Sequence, residues 1–482
     1  MPDLRPVFFV VGIMVAALGA AMFVPMLVDY AMSDQSWRAF AVSGIFTTLL
    51  GAVLASATYS PDPGLSTRSA FLLTVLSWVV LSSLAALPFL LEPTRMSFTD
   101  ALFEATSGIT TTGSTVMTGL DDRPKGILLW RSILQWIGGA GIIVTAMAVL
   151  PMLKVGGMQL FRLESSDVGE KLLPRAASLA AAISGIYLLL TVLCAMGYGF
   201  TGMGLFDSVA HAMTTVATGG YSTSDASMGG FMDGGADLVG IAFMMAGGLP
   251  FGVYLLMLQG RLRAPFRDPQ VLTFVLIMCL LIALVTFFLW TNSEITGSQA
   301  LRLSAFNTVS IVTGTGYATA NYYSWGSFAV AAFFIFMFIG GCAGSTACSI
   351  KIFRYQVAFE ALRGYLMRMP RRNIVMPLRY GGNPLPESVV YSVMSYFFLF
   401  LTCFAVTAFL LSTLGLDDLT AWSGAGSAIA NVGPGLGDII GPAGTYQSLG
   451  NPEKWILMMA MIIGRLEIVT VLVLLTPTFW RS

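Results

Sequence analysis

Charged residues are scarce in this sequence. Only 10% of its 482 residues are Asp, Glu, Lys or Arg, 56% are hydrophobic, and the mean hydropathy is +0.79. An ordinary soluble domain has about 25% charged residues. The 25 basic and 25 acidic residues balance, so no net charge would attract nucleic acid. These shortages argue against a globular enzyme or a nucleic-acid-binding domain and indicate an all-α polytopic membrane protein.

Histidine and cysteine are also scarce. His211 is the only histidine, and the five cysteines form no CxxC pair, so neither a disulfide framework nor a transition-metal site is expected. An intramembrane enzyme would need a second catalytic group beside His211, which is instead predicted to be a packed structural histidine. No P-loop is present, and no GxGxxG follows a strand. We therefore predict that the chain is not an enzyme and that it does not itself bind a nucleotide cofactor.

Long apolar runs dominate what is present. A spanning helix needs about 20 mainly apolar residues. Ten runs are long enough, at 7–29, 38–58, 70–91, 127–153, 176–197, 236–259, 270–290, 326–353, 388–413 and 453–478. With the N-terminus inside, the inner segments carry 17 Lys and Arg residues and the outer segments carry 7. This asymmetry predicts a cytoplasmic N-terminus.

Four shorter polar stretches lie on the predicted outer side, each between two spans. They occupy 97–113, 204–219, 299–316 and 418–433. Superposing their ends aligns Thr112-Gly113, Thr218-Gly219, Thr315-Gly316 and Val432-Gly433, with glycines 106, 97 and 117 residues apart. The pattern predicts a unit of span, re-entrant half-helix, glycine-containing loop and span, repeated four times after two extra spans.

The predicted division of the chain follows from this unit. It comprises an N-terminal helix pair (1–60), repeat 1 (61–160, pore loop 97–115), repeat 2 (161–265, pore loop 204–223), repeat 3 (266–380, pore loop 299–319, gate loop 340–350) and repeat 4 (381–482, pore loop 418–437). Backbone outside a helix cannot face lipid, but it is tolerated where it lines a watery path. Four such loops around one axis would offer rings of carbonyl oxygens, which replace the hydration shell of alkali cations.

These motifs resemble the TrkH/TrkG branch of the TrkH–KtrB–HKT superfamily of potassium-uptake proteins, whose members look like four fused K⁺-channel subunits. The residues that carry the resemblance are Thr110-Thr111-Thr112-Gly113-Ser114, Ala217-Thr218-Gly219-Gly220-Tyr221, Thr315-Gly316-Tyr317, Asn431-Val432-Gly433-Pro434-Gly435, the sequence GGCAGST at 340–346 and GRLE at 464–467. A filter glycine in every repeat goes with K⁺ selectivity in this family, so the resemblance implies K⁺ as the permeant ion.

The resemblance also implies the site residues. The K⁺ filter would comprise Thr111, Thr112, Gly113, Ala217, Thr218, Gly219, Gly314, Thr315, Gly316, Asn431, Val432 and Gly433. Two departures from the family pattern stand out. Gly314 replaces a usual Thr, and Ala347-Cys348-Ser349 replaces a stretch that is usually richer in glycine.

A gate is predicted below the filter. The eighth span is interrupted by small and polar residues, namely Gly340, Gly341, Cys342, Ala343, Gly344, Ser345 and Thr346. Such residues form either a close-packed seam or an inserted loop, and the resemblance favours the loop. Arg465 lies near the middle of an apolar span, where a charge indicates function. Glu467 is a poor partner for it, because residues i and i+2 do not share a helix face.

The resemblance further implies a homodimer in the lipid of a bacterial inner membrane, gated by a cytosolic ring subunit of the TrkA type. Any dependence on ATP, ADP or NAD(H) would come from that subunit, and no nucleic acid is expected as a partner. A coupled secondary transporter, carrying K⁺ with H⁺ or Na⁺, is the alternative, since broken helices and repeats also occur there.

Overall fold

The computed structural model describes residues 4–59, 66–91, 93–144, 176–370 and 377–481. Within these ranges the regular secondary structure is helical apart from one two-residue antiparallel strand pair, β1 (Arg379–Tyr380) and β2 (Asn383–Pro384). The end of the predicted span 127–153 and the predicted boundaries at 60 and 160 lie outside the described residues. The predicted all-α polytopic class is confirmed by the helices that follow.

The α-helices of the described ranges vary in length from 4 to 27 residues. In chain order they are α1 (Arg5–Ala21), α2 (Phe23–Ala31), α3 (Trp37–Ala57), α4 (Thr67–Ala85), α5 (Leu87–Leu90), α6 (Phe98–Ile109), α7 (Lys125–Val144), α8 (Ala176–Phe200), α9 (Leu205–Val216), α10 (Ala236–Gly248), α11 (Phe251–Leu258), α12 (Pro269–Asn292), α13 (Gly297–Val312), α14 (Ser327–Phe336), α15 (Ile352–Arg368), α16 (Glu387–Thr413), α17 (Asp418–Ala430), α18 (Gly437–Ile440), α19 (Asn451–Arg465), α20 (Val469–Leu474) and α21 (Pro477–Arg481).

In the part of the chain that the structure describes, seven stretches of helix are long and apolar enough to cross a membrane. They are Arg5–Ala31, Trp37–Ala57, Thr67–Leu90, Lys125–Ile143, Leu179–Phe200, Pro269–Asn292 and Glu387–Thr413. Each coincides with one of the ten predicted spans. Their outward surfaces are rich in exposed Leu, Val and Phe, which is the composition that lipid-facing helices need.

The other three predicted spans are interrupted helices, so helix length does not confirm a count of ten. Helices α10 and α11 meet at a 93° bend, where Pro250 has no N–H to continue the helix. Helix α14 stops at Phe336, and the chain is non-helical until Ile352. Helix α19 stops at Arg465, because Glu467 and Ile468 have positive φ angles of 64° and 44°.

Four of the short helices correspond to the four predicted re-entrant stretches. We call α6, α9, α13 and α17 half-helices 1 to 4. They contain 12, 12, 16 and 13 residues, or roughly 18–24 Å of helix against a hydrocarbon core of about 30 Å. Side chains cap three of them at the N-terminus, from Ser97, Thr296 and Asp417. Almost every residue in their C-terminal halves is buried.

The half-helices and spans form a closed ring in chain order. The span after each half-helix packs against the next half-helix: α7 against half-helix 2, α10 against half-helix 3, and α19 against half-helix 1. The remaining contact, between half-helix 4 and the span after half-helix 3, is made where Gly426 faces Phe334 and Phe338. Helices α1 to α3 lie outside this ring, where α1 packs on α4 and α2 on α7. The C-terminal ends of all four half-helices therefore converge.

Candidate functional site: four loops around one axis

The backbone follows the same path after each half-helix. We call the segments that follow half-helices 1 to 4 loops 1 to 4. Each contains two residues with positive φ, separated by one residue, which are in chain order Thr111 and Gly113, Thr218 and Gly220, Gly314 and Gly316, and Asn431 and Gly433. L-residues rarely adopt positive φ, and glycine adopts it freely. Four loops with this alternation are therefore four copies of one conformation.

Backbone hydrogen bonds repeat in the same register. The N–H of the first positive-φ residue donates three residues back, as from Thr111 to the Gly108 carbonyl (3.0 Å). The next N–H donates five residues back, with N to O distances of 2.9, 2.8, 2.8 and 3.0 Å in the four loops. These second donors are Thr112, Gly219, Thr315 and Val432. The four positions are thus structurally equivalent.

This register corrects the sequence alignment of the second loop by one residue. The aligned glycine Gly219 is equivalent to Thr112, and the glycine equivalent to Gly113 is Gly220. Ala217, included among the filter residues, is the C-cap of half-helix 2 and is equivalent to Thr110. Because Gly219 and Gly220 are adjacent glycines, the sequence offers no means of choosing between them. The predicted triplets of the other three loops keep their register.

The loops contact one another through the glycines and the carbonyl groups just before them. A Cβ added at Gly113 would overlap the Gly219 carbonyl oxygen of the next loop, and one added at Gly220 would overlap that of Thr315. A Cβ at Gly316 would overlap the Val432 carbonyl oxygen, and one at Gly433 would lie 2.8 Å from the Thr112 carbonyl oxygen. The contacts run from loop 1 through loop 4 and back to loop 1. Four equivalent carbonyl oxygens therefore form a closed ring.

Buried side chains tie the loops together from behind. Asn431 Nδ2 donates to Thr112 Oγ1 (2.9 Å), and Ser114 Oγ donates to the Gly433 carbonyl (2.8 Å). Gln135 of α7 donates through Nε2 to the Gly219 carbonyl (2.6 Å) and accepts from the Tyr221 N–H through Oε1 (3.0 Å). Gln135 was not predicted from the sequence, since a single amide in an apolar helix belongs to no motif.

A buried ion pair braces the outer side of loops 1 and 2. Arg131 Nε lies 2.7 Å from Glu104 Oε1, and both side chains are essentially unexposed. Arg131 Nη1 also donates to the Ser222 carbonyl (2.9 Å), and its guanidinium stacks 4.1 Å from the Tyr221 ring centroid. Arg131 is one of the 7 basic residues assigned to the outer segments from the sequence. Its place inside an apolar helix was a usable signal of the same kind as that of Arg465.

The outer acids and the histidine have structural roles. Asp100 and Asp207 lie in the first turns of half-helices 1 and 2, whose N-caps are Ser97 and Gly204. Asp100 pairs with Lys454 at 2.7 Å. His211 is fully buried, with its ring nitrogens 2.8 Å from the Asp207 carbonyl oxygen and 2.9 Å from Ser222 Oγ. His211 thus fits the packed structural residue that the sequence suggested.

The segment 340–350 forms a loop rather than a helical seam. Ile339 and Ile350 form a parallel bridge at its base. The Cys342 N–H donates to the Gly248 carbonyl (2.9 Å), and the Thr346 N–H donates to the Gly247 carbonyl (3.1 Å). Those carbonyls lie at the bend between α10 and α11. Each interruption therefore satisfies backbone groups of the other, which is required of irregular backbone at membrane depth.

The same loop contacts the C-terminal end of half-helix 2, just before the second of the four loops begins. Thr346 Oγ1 donates to the carbonyl of Val216, the last residue of half-helix 2 (3.0 Å). Arg465 Nη1 contacts Cys348 Sγ at 2.6 Å, and Nη2 lies 3.5 Å from the Gly138 carbonyl oxygen. Arg465 Nε has no hydrogen-bond partner within the described ranges. Glu467 is bound to Arg354 instead, so the expectation that Arg465 and Glu467 are not mutual partners agrees with the structure.

A family model for TrkH, described as a cation transport protein, matches residues 36–481. The chain belongs to the TrkH family. It is 45% identical to the Trk system potassium uptake protein TrkI of Halomonas elongata, over 99% of this chain and 97% of that one. It is 37% identical to TrkH of Escherichia coli K12, over 99% of both chains. The predicted family is confirmed.

A solved structure supports the TrkH fold along the whole chain. The crystal structure of the potassium transporter TrkH from Vibrio parahaemolyticus matches with a TM-score of 0.92 at 35% identity and covers 100% of both chains. The interrupted helices and half-helices of this TrkH-family chain are therefore part of a complete family fold.

Proposed function

We propose that this chain takes up K⁺ across the cytoplasmic membrane through the ring of loops. The observation that carries the proposal is the closed cycle of glycine and carbonyl contacts, in which the Thr112, Gly219, Thr315 and Val432 carbonyls occupy equivalent positions. Four carbonyl oxygens at one level can replace the water around an alkali cation. The relatives are named as potassium uptake proteins, which supports K⁺ as the ion and a transport protein rather than an enzyme.

The half-helices add a favourable field for a cation. Each half-helix ends directly before the loop that forms the ring, so four helix C-termini converge on the ring. A helix C-terminus carries about half a negative charge. The partial negative charges of the carbonyls and helix ends together stabilise a cation, and this arrangement suits an ion that must leave as readily as it enters.

The proposed filter comprises the two positive-φ residues and the residue between them in each loop. These are Thr111, Thr112, Gly113, Thr218, Gly219, Gly220, Gly314, Thr315, Gly316, Asn431, Val432 and Gly433. Glycine is required at the last position of each triplet for two reasons. Its φ is positive, and its Cα lies against the carbonyl of the neighbouring loop. Any side chain there would push two loops apart and widen the ring.

The loop from Gly340 to Thr346, with Arg465, is the proposed gate. Arg465 is 4% exposed and places a positive charge near the lower end of the ring. A fixed cation in a low-dielectric path raises the barrier for a second cation. Opening would then require the gate loop and the guanidinium to move away from the axis.

The cellular setting is proposed from the family. The chain is a multi-pass protein of a bacterial inner membrane with a cytoplasmic N-terminus, as the distribution of Lys and Arg supports. It acts as a homodimer with a cytosolic nucleotide-binding ring subunit of the TrkA type. The relatives' description as parts of a Trk system supports such a regulatory component.

Cation flux into liposomes that contain only this chain tests the proposal. We expect K⁺ flux to exceed Na⁺ flux, and Gly113→Ser to abolish that preference. Gly119→Ser is the matched control, because Gly119 also has positive φ (67°) but a Cβ there would meet no atom within 4 Å. Flux that saturates and requires a H⁺ or Na⁺ gradient would instead establish the coupled transporter. If the wild-type chain shows no cation flux, the Arg465→Ala variant should conduct. Absence of flux in that variant as well would contradict the proposal.

A further inference from the structure

Cys348 lies within the predicted gate loop 340–350 but was not among the gate residues named from the sequence, and its side chain contacts two of the filter loops. Its Sγ is 3.6 Å from Oγ1 of Thr111 in loop 1. A Cβ built at Gly314 in loop 3 would lie 3.1 Å from Cys348 Cβ. Thr111 and Gly314 are equivalent residues of opposite loops in the ring. A side chain that contacts both must cross the axis.

We propose that the Cys348 side chain is the plug that closes the path beneath the filter. The inference rests on the proposed transport function and names the residue that blocks it. A thiol is only a weak hydrogen-bonding group, so it cannot replace the water around K⁺. A small, poorly hydrated side chain on the axis closes a pore by steric block and by dewetting.

Contacts from three sides hold the plug in place. Arg465 Nη1 contacts Cys348 Sγ at 2.6 Å. The loop that carries Cys348 is anchored to half-helix 2 through Thr346, and its base is closed by the bond from the Gly340 N–H to the Ile350 carbonyl (3.0 Å). The Cys348 residue is only 5% exposed. Arg465 is therefore a positioning residue for the thiol as well as a barrier charge.

The filter itself makes room for the plug. Three of the four equivalent positions carry side chains, in Thr111, Thr218 and Asn431, and only Gly314 has none. Gly314 is also the one that Cys348 packs against. A side chain at position 314 would occupy the space of Cys348. The glycine and the cysteine are thus complementary in volume across one contact.

Flux measurements on Cys348 variants test the plug. Cys348→Gly should raise K⁺ flux in liposomes about tenfold, equivalent to about 1.4 kcal/mol of barrier, with an unchanged K⁺/Na⁺ ratio. Cys348→Ser keeps the volume and should stay closed. Cys194→Ala is the control, because Cys194 is also a buried free cysteine but belongs to α8 rather than to the proposed gate.

A second variant pair tests the volume argument. Gly314→Thr alone should displace the gate loop and disturb flux, whereas Gly314→Thr with Cys348→Gly should recover selective flux. The plug is rejected if Cys348→Gly flux equals wild type while Arg465→Ala raises flux. That result would leave the proposed transport function intact. If neither variant conducts, and Gly113→Ser also changes nothing, the transport function fails and the plug fails with it.

Discussion

The Cα of Gly220 lies so close to the Thr315 carbonyl oxygen that a Cβ at position 220 would overlap it. Gly219, one residue earlier, instead faces the Gln135 side chain, whose Cδ would lie within overlap distance of an added Cβ. A side chain at position 220 is thus blocked by backbone, whereas a side chain at position 219 is blocked only by another side chain, which can move or be removed. This difference allows the register of loop 2 to be tested.

We expect Gly220→Ala to abolish the preference for K⁺ over Na⁺. Adding Gln135→Ala to that variant should not restore the preference. Gly219→Ala should also reduce selective flux, but the double variant Gly219→Ala, Gln135→Ala should recover part of it, because the space in front of residue 219 is then free. Flux ratios in liposomes measure both effects. Recovery at position 220 rather than 219 would show that the structural register is wrong.

Gln135 is expected to position the loop 2 carbonyl. Gln135→Ala leaves the Tyr221 N–H without its bond to Oε1, and an unpaired buried group costs about 1–3 kcal/mol. Thermal unfolding of the purified protein should show this loss, and the K⁺/Na⁺ flux ratio should fall. Ser132→Ala is the control on the same helix, since its hydroxyl bonds only the Leu128 carbonyl (3.1 Å) within the described residues. Equal effects of the two variants would remove Gln135 from the filter's support.

Removing only one of the two charges in the Glu104–Arg131 ion pair should lower the free energy of unfolding strongly. Removing one partner of a buried pair costs about 3–5 kcal/mol, because the other charge is left uncompensated. Glu104→Gln should therefore destabilise the protein strongly, and Glu104→Gln with Arg131→Met should destabilise it less than the sum of the two changes.

The pair between Asp100 and Lys454 is the comparison for this prediction, since the Asp100 side chain is 26% exposed. Asp100→Asn should have a smaller effect on the unfolding midpoint. An additive double variant of Glu104 and Arg131 would show that the two charges are not coupled.

Neutralising Arg465 should open the closed path. We expect Arg465→Gln to raise basal cation flux without changing K⁺/Na⁺ preference, because the barrier charge lies below the ring and not in it. Lys454→Gln is the matched control: Lys454 is a buried cation of the same helix, but it is bound to Asp100 at the other end. If both variants left flux at the wild-type level, Arg465 would have no role in closing the path.

Much of this protein can be derived from local patterns. Span length, the shortness of the half-helices and the glycines at their ends depend on neighbouring residues, so the sequence alone indicates a membrane protein with four re-entrant loops. Arg465 was recognisable because a charge in an apolar run is costly wherever the run lies. The helix interruptions at 249–250 and 466–468 were not recognised, although Pro250 was a usable signal.

Contacts between distant segments became visible only in the folded chain. The choice of Gly220 over Gly219 depends on which Cα faces the Thr315 carbonyl, and Thr315 is far along the chain. The same holds for Gln135 behind loop 2 and for Cys348 between Thr111 and Gly314. Local sequence is enough to establish that four similar loops exist. Which atoms of those loops meet at the axis depends on closure of the ring, because each contact joins residues that no local pattern relates.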